Sequence, residues 1–147
     1  MPLAWTQGEI FIAVKSLNAT NNPAGLWLMG NGALTSWYPD TSGQIQENFG
    51  RGTFALITGV PTVTLSTPHL YNVVSRANAW TNRFNNLERY WTTANTVGFN
   101  NAPRLGWGGS GENFQGYISE LMIFDSELSA AERGAVANYL RGRFDLW

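Results

Sequence analysis

The sequence predicts an all-β sandwich covered by a single C-terminal helix. Many short apolar segments are separated by Gly, Asn and Pro, which is typical of strands joined by tight turns. Only residues 129–143 combine helical periodicity with a helix-start signal. The chain has 147 residues, enough for one hydrophobic core. We therefore expect residues 1–147 to form a single domain.

The first predicted strands lie in the N-terminal half of the chain. Residues 9–16 form an early β-forming segment. Residues 26–29 and 34–38 flank a Gly-Asn-Gly turn at residues 30–32, a spacing that predicts a tight hairpin. Glycine and proline then separate several short β-forming segments. These further predicted strands are residues 45–49, 53–58, 62–66 and 70–76.

A second hairpin and the longest strand follow. Residues 81–84 and 87–92 flank two consecutive asparagines, and asparagine tolerates the positive φ of a tight turn better than most residues. Residues 104–107 are predicted as a short strand, and residues 117–124 as a long apolar one.

The C-terminal helix has a specific start signal. Ser129 stands three residues before Glu132, which is the spacing of a capping box. An apolar stripe at helical spacing is predicted to pack against the sandwich. The stripe consists of Ala131, Ala135 and Tyr139, with Val136 and Leu140 beside them.

The composition argues against several kinds of function. A formal net charge of −1 provides no electrostatic footprint for nucleic acid or an anionic membrane. The absence of cysteine excludes disulfides, thiolate chemistry and cysteine-ligated zinc. The N-terminus lacks the pattern of a signal peptide, and no apolar run approaches the roughly 20 residues of a membrane span. We expect no cofactor, no nucleic-acid partner and no membrane partner.

Two patterns that suggest enzymes are weak here. Gly106, Gly108 and Gly111 match the Gly-x-Gly-x-x-Gly motif, but they lead into another predicted strand rather than a helix. Glycoside hydrolysis needs two carboxylates across the scissile bond. Glu120 and Asp125 are five residues apart, so a regular strand points them to opposite faces. No catalytic residue is predicted.

The single histidine and the most turn-like aspartate are also predicted to be structural. His69 lies at a strand start, and no Gly-x-Ser-x-Gly elbow accompanies it. We expect a hydrogen-bonded histidine at a loop-to-strand junction. Asp40 follows a Tyr-Pro pair in a turn, and calcium usually requires more than one carboxylate. No metal site is predicted.

Several segments resemble those of laminin-G-like, concanavalin-A-like jelly-roll modules found in tailed-phage and bacterial surface proteins. The C-terminal run of strand, acidic turn and capped helix is the strongest part of this resemblance. Residues 43–50 resemble a Gly-x-Ile-x-x-x-Phe-Gly strand, and residues 114–120 resemble a Phe-x-Gly-x-Ile-x-Glu strand. Residues 68–75 and 83–86 resemble the strand before the central hairpin and its turn.

The resemblance implies a jelly-roll sandwich and a family that consists mostly of binding modules rather than catalysts. Asn86 departs from the family pattern, which often has glycine there. Glu120, the family-like acid, is implied to be a buried structural residue that pairs with Arg133 or Arg141.

Partner binding is suggested by the balance of basic and aromatic residues. The chain has eight Arg, one Lys and seven Trp, and surfaces that meet partners favour Arg and Trp over Lys. We expect a non-enzymatic binding or assembly module, an accessory structural protein of a bacteriophage virion surface of the capsid-decoration or fibre type. Its partners would be capsid or tail proteins, or further copies of itself. The alternative is a lectin-like, carbohydrate-binding module of a bacterial surface or extracellular protein, with a glycan as its ligand.

The candidate contact residues are aromatic, Arg and Asn side chains. Trp80 and Trp107 are predicted to lie in loops, where an indole can stack on a sugar ring, and Arg76 is a further cation of an expected interface. The remaining candidates are Trp37, Tyr38, Arg83, Arg89, Arg104 and Asn113.

Overall fold

The chain folds around a five-stranded antiparallel sheet that is covered on both faces. The structure, a computed structural model, describes residues 5–18, 22–32, 36–108 and 113–147. The elements within these ranges are β1 (Gln7–Ser16), β2 (Trp27–Gly30), β3 (Gln46–Glu47), β4 (Leu56–Ile57), β5 (His69–Arg76), β6 (Ala79–Phe84), β7 (Leu87–Thr92), β8 (Phe99–Leu105), β9 (Gly116–Phe124) and α1 (Ala130–Phe144).

The large sheet has the strand order β7-β6-β5-β1-β9. β1 pairs antiparallel with both β5 and β9, and β5, β6 and β7 form an antiparallel meander. Two smaller sheets, β2-β8 and β3-β4, contribute the opposing layer. The predicted all-β sandwich with one C-terminal helix is confirmed.

Side chains along β1 alternate between two buried faces. Ile10, Ile12 and Val14 belong to the inner core between the sheets, whereas Phe11 and Ala13 belong to a second core beneath the helix. Burial on both faces explains why this strand is continuously apolar rather than alternating. The largest buried side chains of the inner core are Trp27, Tyr38, Phe49, Tyr71, Trp80, Phe84 and Phe99.

The helix covers the outer face of the large sheet and begins as predicted. Ser129 is its N-cap, and the reciprocal bonds of the capping box with Glu132 are both present. Ala137 and Leu140 are buried against a cluster that includes Leu70. The predicted start of the helix is confirmed.

The predicted apolar stripe on the helix is wrong for three of its residues. Ala131, Ala135 and Tyr139 are exposed. The helix is rotated instead so that Arg133 lies on the buried face, where its guanidinium binds the fully buried carboxylate of Glu9. A buried carboxylate requires such a partner, and this requirement outweighs burial of two alanines.

Glu9 anchors the helix and the preceding loop to the sheet. Its Oε1 accepts hydrogen bonds from Arg133 Nε at 2.7 Å and Asn72 Nδ2 at 2.9 Å, and its Oε2 accepts from the Leu128 amide at 2.8 Å. Arg133 also donates to the Leu128 carbonyl at 2.8 Å and lies 3.5 Å from Glu127. The position of the loop before α1 is therefore set by one carboxylate.

Glu120 has a different partner from those expected. Its carboxylate is half-buried and lies 3.3 Å from Arg143 Nε. The Tyr139 hydroxyl lies 3.4 Å from both of its oxygens. Of the two partners expected, Arg133 is paired with Glu9. Arg141 donates to the carbonyl of the C-terminal Trp147.

A second buried carboxylate ties the inner core together. Glu47 Oε1 accepts from Trp27 Nε1 at 2.6 Å and from the amides of Asn48 and Phe49 at 2.8 and 2.9 Å. The Tyr71 hydroxyl donates to Oε2 at 3.1 Å. Burial raises the pKa of Glu47, and the four donors oppose this increase. The carboxylate thus fixes Trp27 and two loop amides between the layers.

The hairpin predicted around residues 30–32 stays a prediction, because part of its second arm is not among the described residues. β2 pairs with β8, with Trp27 opposite Leu105, and residues 33–35 lie outside the described residues. Backbone groups of β2 form hydrogen bonds with β8, a strand far away in the sequence. A local turn signal cannot predict pairing with such a distant strand.

The strand predicted at residues 62–66 is also wrong. This segment forms bends and turns, and one turn is closed by a bond from the Thr67 amide to the Thr64 carbonyl at 3.0 Å.

No helix in the described part of the chain has the length and apolar composition needed to cross a bilayer.

We predict that Ser129→Ala destabilises the domain by about 1 kcal/mol and that Glu132→Ala destabilises it by a smaller amount, because each removes half of the capping box. Asn138→Ala on the exposed side of the same helix is the control and is expected to be neutral or slightly stabilising. Urea unfolding measures the difference. If all three variants had the same free energy of unfolding, the capping box would not contribute to stability.

We predict that Glu47→Ala destabilises the domain by about 3 kcal/mol or more. The change leaves Trp27 Nε1 and the Phe49 amide without their acceptor, and each such buried donor costs roughly 1–3 kcal/mol. Glu88→Ala, at an exposed carboxylate, should cost less than about 0.5 kcal/mol. Denaturant unfolding of both variants tests this, and similar losses in the two would contradict it.

Candidate functional site

A groove of about 300 Å³ lies on the helix-bearing face of the large sheet, near its β7 edge. The register places Arg76 opposite Ala79 and Thr81 opposite Trp91. Directly opposed residues share a face, so these side chains project together. We call this surface the outer-face groove. It is lined by Arg76, Asn78, Ala79, Thr81, Glu88, Trp91, Thr92 and Thr93.

Trp91 is the main apolar surface of the outer-face groove. It is 63% exposed, whereas Trp27 and Trp80 are completely buried. The charged side chains beside it are also accessible, since Arg76 and Glu88 are 48% and 49% exposed. The groove therefore combines one large aromatic face with both a cation and an anion.

The charged side chains of the groove are held by ion pairs. Arg76 Nε lies 2.6 Å from Glu127 Oε2. Arg83, beneath the groove, lies 3.8 Å from Glu88 and donates to Asn72 Oδ1 at 3.1 Å. Burial lowers the pKa of Arg83 from its usual value, but an arginine stays protonated at neutral pH. These contacts restrict the rotamers of both groups before any ligand arrives.

One end of the groove is fixed by a buried amide. Asn95 Nδ2 donates to the carbonyls of Arg76 and Ala79 at 2.8 and 3.2 Å, which spans the turn between β5 and β6. The Asn78 amide donates to the Asn95 carbonyl at 3.1 Å, and Arg51 donates to Asn95 Oδ1 at 3.1 Å. Asn78 has a φ of 57°, which asparagine tolerates well. The turn is thus preorganised.

This arrangement is suited to binding a ligand with both apolar and polar edges. An indole face is apolar and electron-rich, and its amphipathic ring is common where ligands dock. The carboxylate of Glu88 can accept hydrogen bonds from hydroxyl groups, and the guanidinium of Arg76 can donate them. In the described part of the chain, no group of three or more His, Cys, Asp or Glu side chains is placed to hold a metal ion.

The structure corrects the prediction that Trp80 lies in a loop. Trp80 belongs to β6, is 0% exposed, and donates from Nε1 to the Phe49 carbonyl at 3.0 Å. Its alternation with Thr81 and Arg83 points it into the inner core. Trp80 therefore cannot contact a partner at the surface.

Tyr38 is also buried, and it binds the single histidine. The Tyr38 hydroxyl lies 2.7 Å from His69 Nε2, and His69 Nδ1 lies 2.8 Å from the Thr67 carbonyl. Because a carbonyl only accepts, Nδ1 carries the proton and Nε2 accepts from Tyr38. Burial lowers the pKa of His69 and raises that of Tyr38. His69 is a hydrogen-bonded residue at a strand start, as predicted.

Three other candidates lie together, away from the outer-face groove. The guanidinium of Arg104 lies 4.3 Å from the centre of the Trp107 ring, and Trp107 forms an isolated bridge with Asn113. Trp107 is only partly exposed, and the cation covers its ring. This cluster offers less open aromatic surface than Trp91.

The remaining candidates are dispersed. Trp37 is half-buried and forms an isolated bridge with Gln46. Arg89 donates to the Val60 carbonyl at 2.9 Å, on a loop of the opposing layer. Arg83 lies beneath the outer-face groove.

The glycine motif and Asp40 have structural roles. Gly106 ends β8 with a φ of 74°, and Gly108 packs so closely on Gly25 that a Cβ on Gly25 would collide with its backbone. Gly111 lies outside the described residues. Asp40 Oδ1 accepts from two amides of its own turn, at 2.8 and 2.9 Å, as expected of a turn residue.

Sequence reasoning missed Trp91. The two asparagines of the second hairpin have φ values of 50° and 64° and pair Phe84 with Leu87 at the turn. Continued without interruption, this register would place Trp91 opposite Trp80, on the core side. In β6, Trp80 and Phe84 are four residues apart and so face the core together, which leaves Thr81 on the outside. A register shift between Asn82 and Arg83 instead places Trp91 opposite Thr81, on the outer face, and the alternation of the sequence alone does not reveal such a shift.

Comparisons with known proteins identify the fold. No protein-family model matches the sequence, and no curated protein matches it. Domain 4 of AbnA, an extracellular GH43 arabinanase from Geobacillus stearothermophilus solved with arabinotriose, has a TM-score of 0.60 at 16% identity, covering 90% of this chain and 66% of that one. The CBM40 of the Ruminococcus gnavus IT-sialidase, solved with α2,3-sialyllactose, has a TM-score of 0.64 at 19% identity, covering 91% and 84%.

A third similar structure is Trypanosoma rangeli sialidase, with a TM-score of 0.67 at 12% identity. The match covers 96% of this chain but only 24% of the sialidase. At such identities the likeness concerns the fold alone. The predicted jelly-roll β-sandwich with one C-terminal helix is confirmed, and similar solved structures include carbohydrate-binding modules.

We predict that protonation of His69 destabilises the domain in mild acid. The folded-state pKa is lowered, so the unfolded chain binds the proton first as the pH falls below about 6.5. Stability contributed by neutral His69 is complete above that pH and is lost as the pH falls towards the folded pKa. The difference in unfolding free energy between wild type and His69→Ala should therefore shrink from pH 7.5 to pH 5.5. Urea unfolding at both values tests this, and a constant difference would contradict it.

Proposed function

We propose that this chain is a non-enzymatic carbohydrate-binding module of an extracellular or bacterial surface protein, and that residues 1–147 act as one domain. The outer-face groove is its proposed ligand site. The similar structures are domains of carbohydrate-active proteins, some with bound glycans, and this supports the lectin-like alternative over a role at a virion surface. The virion role stays a prediction from the sequence.

The observation that carries the proposal is the exposed indole of Trp91 in a preorganised polar groove. A sugar ring has an apolar face of C–H groups and a rim of hydroxyls. Trp91 can stack on the apolar face, while Glu88, Arg76 and Thr81 bind the hydroxyls. A rigid aromatic anchor with a few fixed polar groups is the usual composition of a small-ligand site.

We propose binding rather than hydrolysis because the groove lacks the pair of carboxylates that glycosidases use, among the residues described. Glycosidases use two carboxyl groups about 5–9.5 Å apart. Among the described residues that line the groove, Glu88 is the one carboxylate. Glu127 is ion-paired with Arg76 at 2.6 Å and lies 3.5 Å from Arg133, so its carboxylate is already bound within the protein.

Trp91→Ala is predicted to weaken glycan binding at least roughly tenfold, which corresponds to about 1.4 kcal/mol. Stability should change by less than about 0.5 kcal/mol, because the side chain is exposed. Leu87→Ala is the matched control, since Leu87 is on the same strand and 73% exposed but does not line the groove. Glycan-array screening followed by calorimetry measures both variants.

The variant Trp107→Ala distinguishes the outer-face groove from the Arg104–Trp107–Asn113 cluster, which contains contact residues predicted from the sequence. Binding lost in Trp107→Ala and retained in Trp91→Ala would move the ligand to the Arg104–Trp107–Asn113 cluster. No glycan binding by the wild type, together with a stable self-associated form, would favour the assembly role.

A further inference from the structure

We propose that the outer-face groove takes a neutral saccharide and discriminates against acidic ones. This inference rests on the proposed function and names the ligand class of the same site. It is carried by the way in which charges are paired in and beneath the groove.

Among the described residues in and beneath the groove, three guanidinium groups and three carboxylates form one connected network. Each guanidinium has a carboxylate partner within the protein, at N–O distances of 2.6, 3.8 and 2.7 Å. The pairs are Arg76–Glu127, Arg83–Glu88 and Arg133–Glu9. A ligand in the groove therefore meets no net positive field.

An acidic sugar would be disfavoured by the two residues closest to it. To bind Arg76, a ligand carboxylate would have to compete with Glu127 for a guanidinium that is already neutralised at 2.6 Å. It would also approach Glu88, whose carboxylate lines the same groove and is half exposed. Like charges within a few ångströms repel, and desolvation in a groove strengthens the effect.

A neutral sugar meets complementary groups at every position. Its hydroxyls donate to Glu88 and accept from Arg76, and hydrogen bonds to a charged group are roughly twice as strong as neutral ones. Thr81 and Asn78 add polar contacts on the same surface. The ring stacks on Trp91 without requiring the ion pairs to break.

The inference is tested on an array that holds neutral oligosaccharides and their sialylated counterparts, together with neutral plant polysaccharides and uronic-acid polymers. Wild type, Trp91→Ala and Leu87→Ala are compared, so that only signals that depend on Trp91 are assigned to the groove. We expect these signals to come from neutral glycans. Trp91-dependent binding of sialylated or uronic glycans would overturn the ligand class but leave the binding function intact.

Charge variants supply a second measurement. For a neutral glycan identified on the array, Glu88→Gln should weaken binding roughly tenfold in calorimetry, because a charge-assisted hydrogen bond is lost. Glu120→Gln is the control, since Glu120 binds Tyr139 and Arg143 elsewhere on the domain, and it should not change affinity. Unchanged affinity in Glu88→Gln would overturn the role of Glu88. No Trp91-dependent signal of any kind would overturn both this inference and the proposed function.

Discussion

The buried carboxylate of Glu9 is the constraint on which the outer half of the structure depends. It lies in a strand with neighbours on both sides and cannot be solvated, so its position dictates where donors must be. Arg133 and the Leu128 amide meet that need, and both belong to the segment that begins the helix. Glu127, in the same segment, then holds Arg76 at the groove. Helix rotation, loop position and groove geometry thus follow from one charge.

A corresponding carboxylate organises the opposite face. Glu47 binds the Trp27 indole, the Tyr71 hydroxyl and two loop amides between the sheets. Removing a partner from such a network costs more than the network itself contributes, because the remaining groups stay buried. The two carboxylates therefore specify the mutual arrangement of three layers. The edge strand β7 contributes no hydrogen bond to either carboxylate. Its Trp91 is exposed to solvent.

The proposed ligand site depends on which tryptophan is exposed to solvent. Trp80 and Trp91 occupy neighbouring strands of one hairpin, yet one fills the inner core and the other lines a polar groove. The fold itself is shared by proteins of different activities, so the fold alone does not assign a ligand. Trp91, Glu88 and Arg76 supply chemistry that suits a saccharide, and the balanced ion pairs around them favour a neutral one.

The sequence by itself determined the sandwich class, the capped helix and the structural role of His69. These depend on signals in the sequence itself: strand-length apolar segments, the Ser129–Glu132 spacing, and a single histidine with neither a second histidine nor a nucleophile motif to accompany it. Only the tertiary structure decided the pairing of β2 with β8, the rotation of α1 and the position of the groove. Those features depend on contacts between residues far apart in the chain, such as Glu9 with Arg133. Side-chain alternation indicates that a strand has two faces, but only packing decides which face is buried.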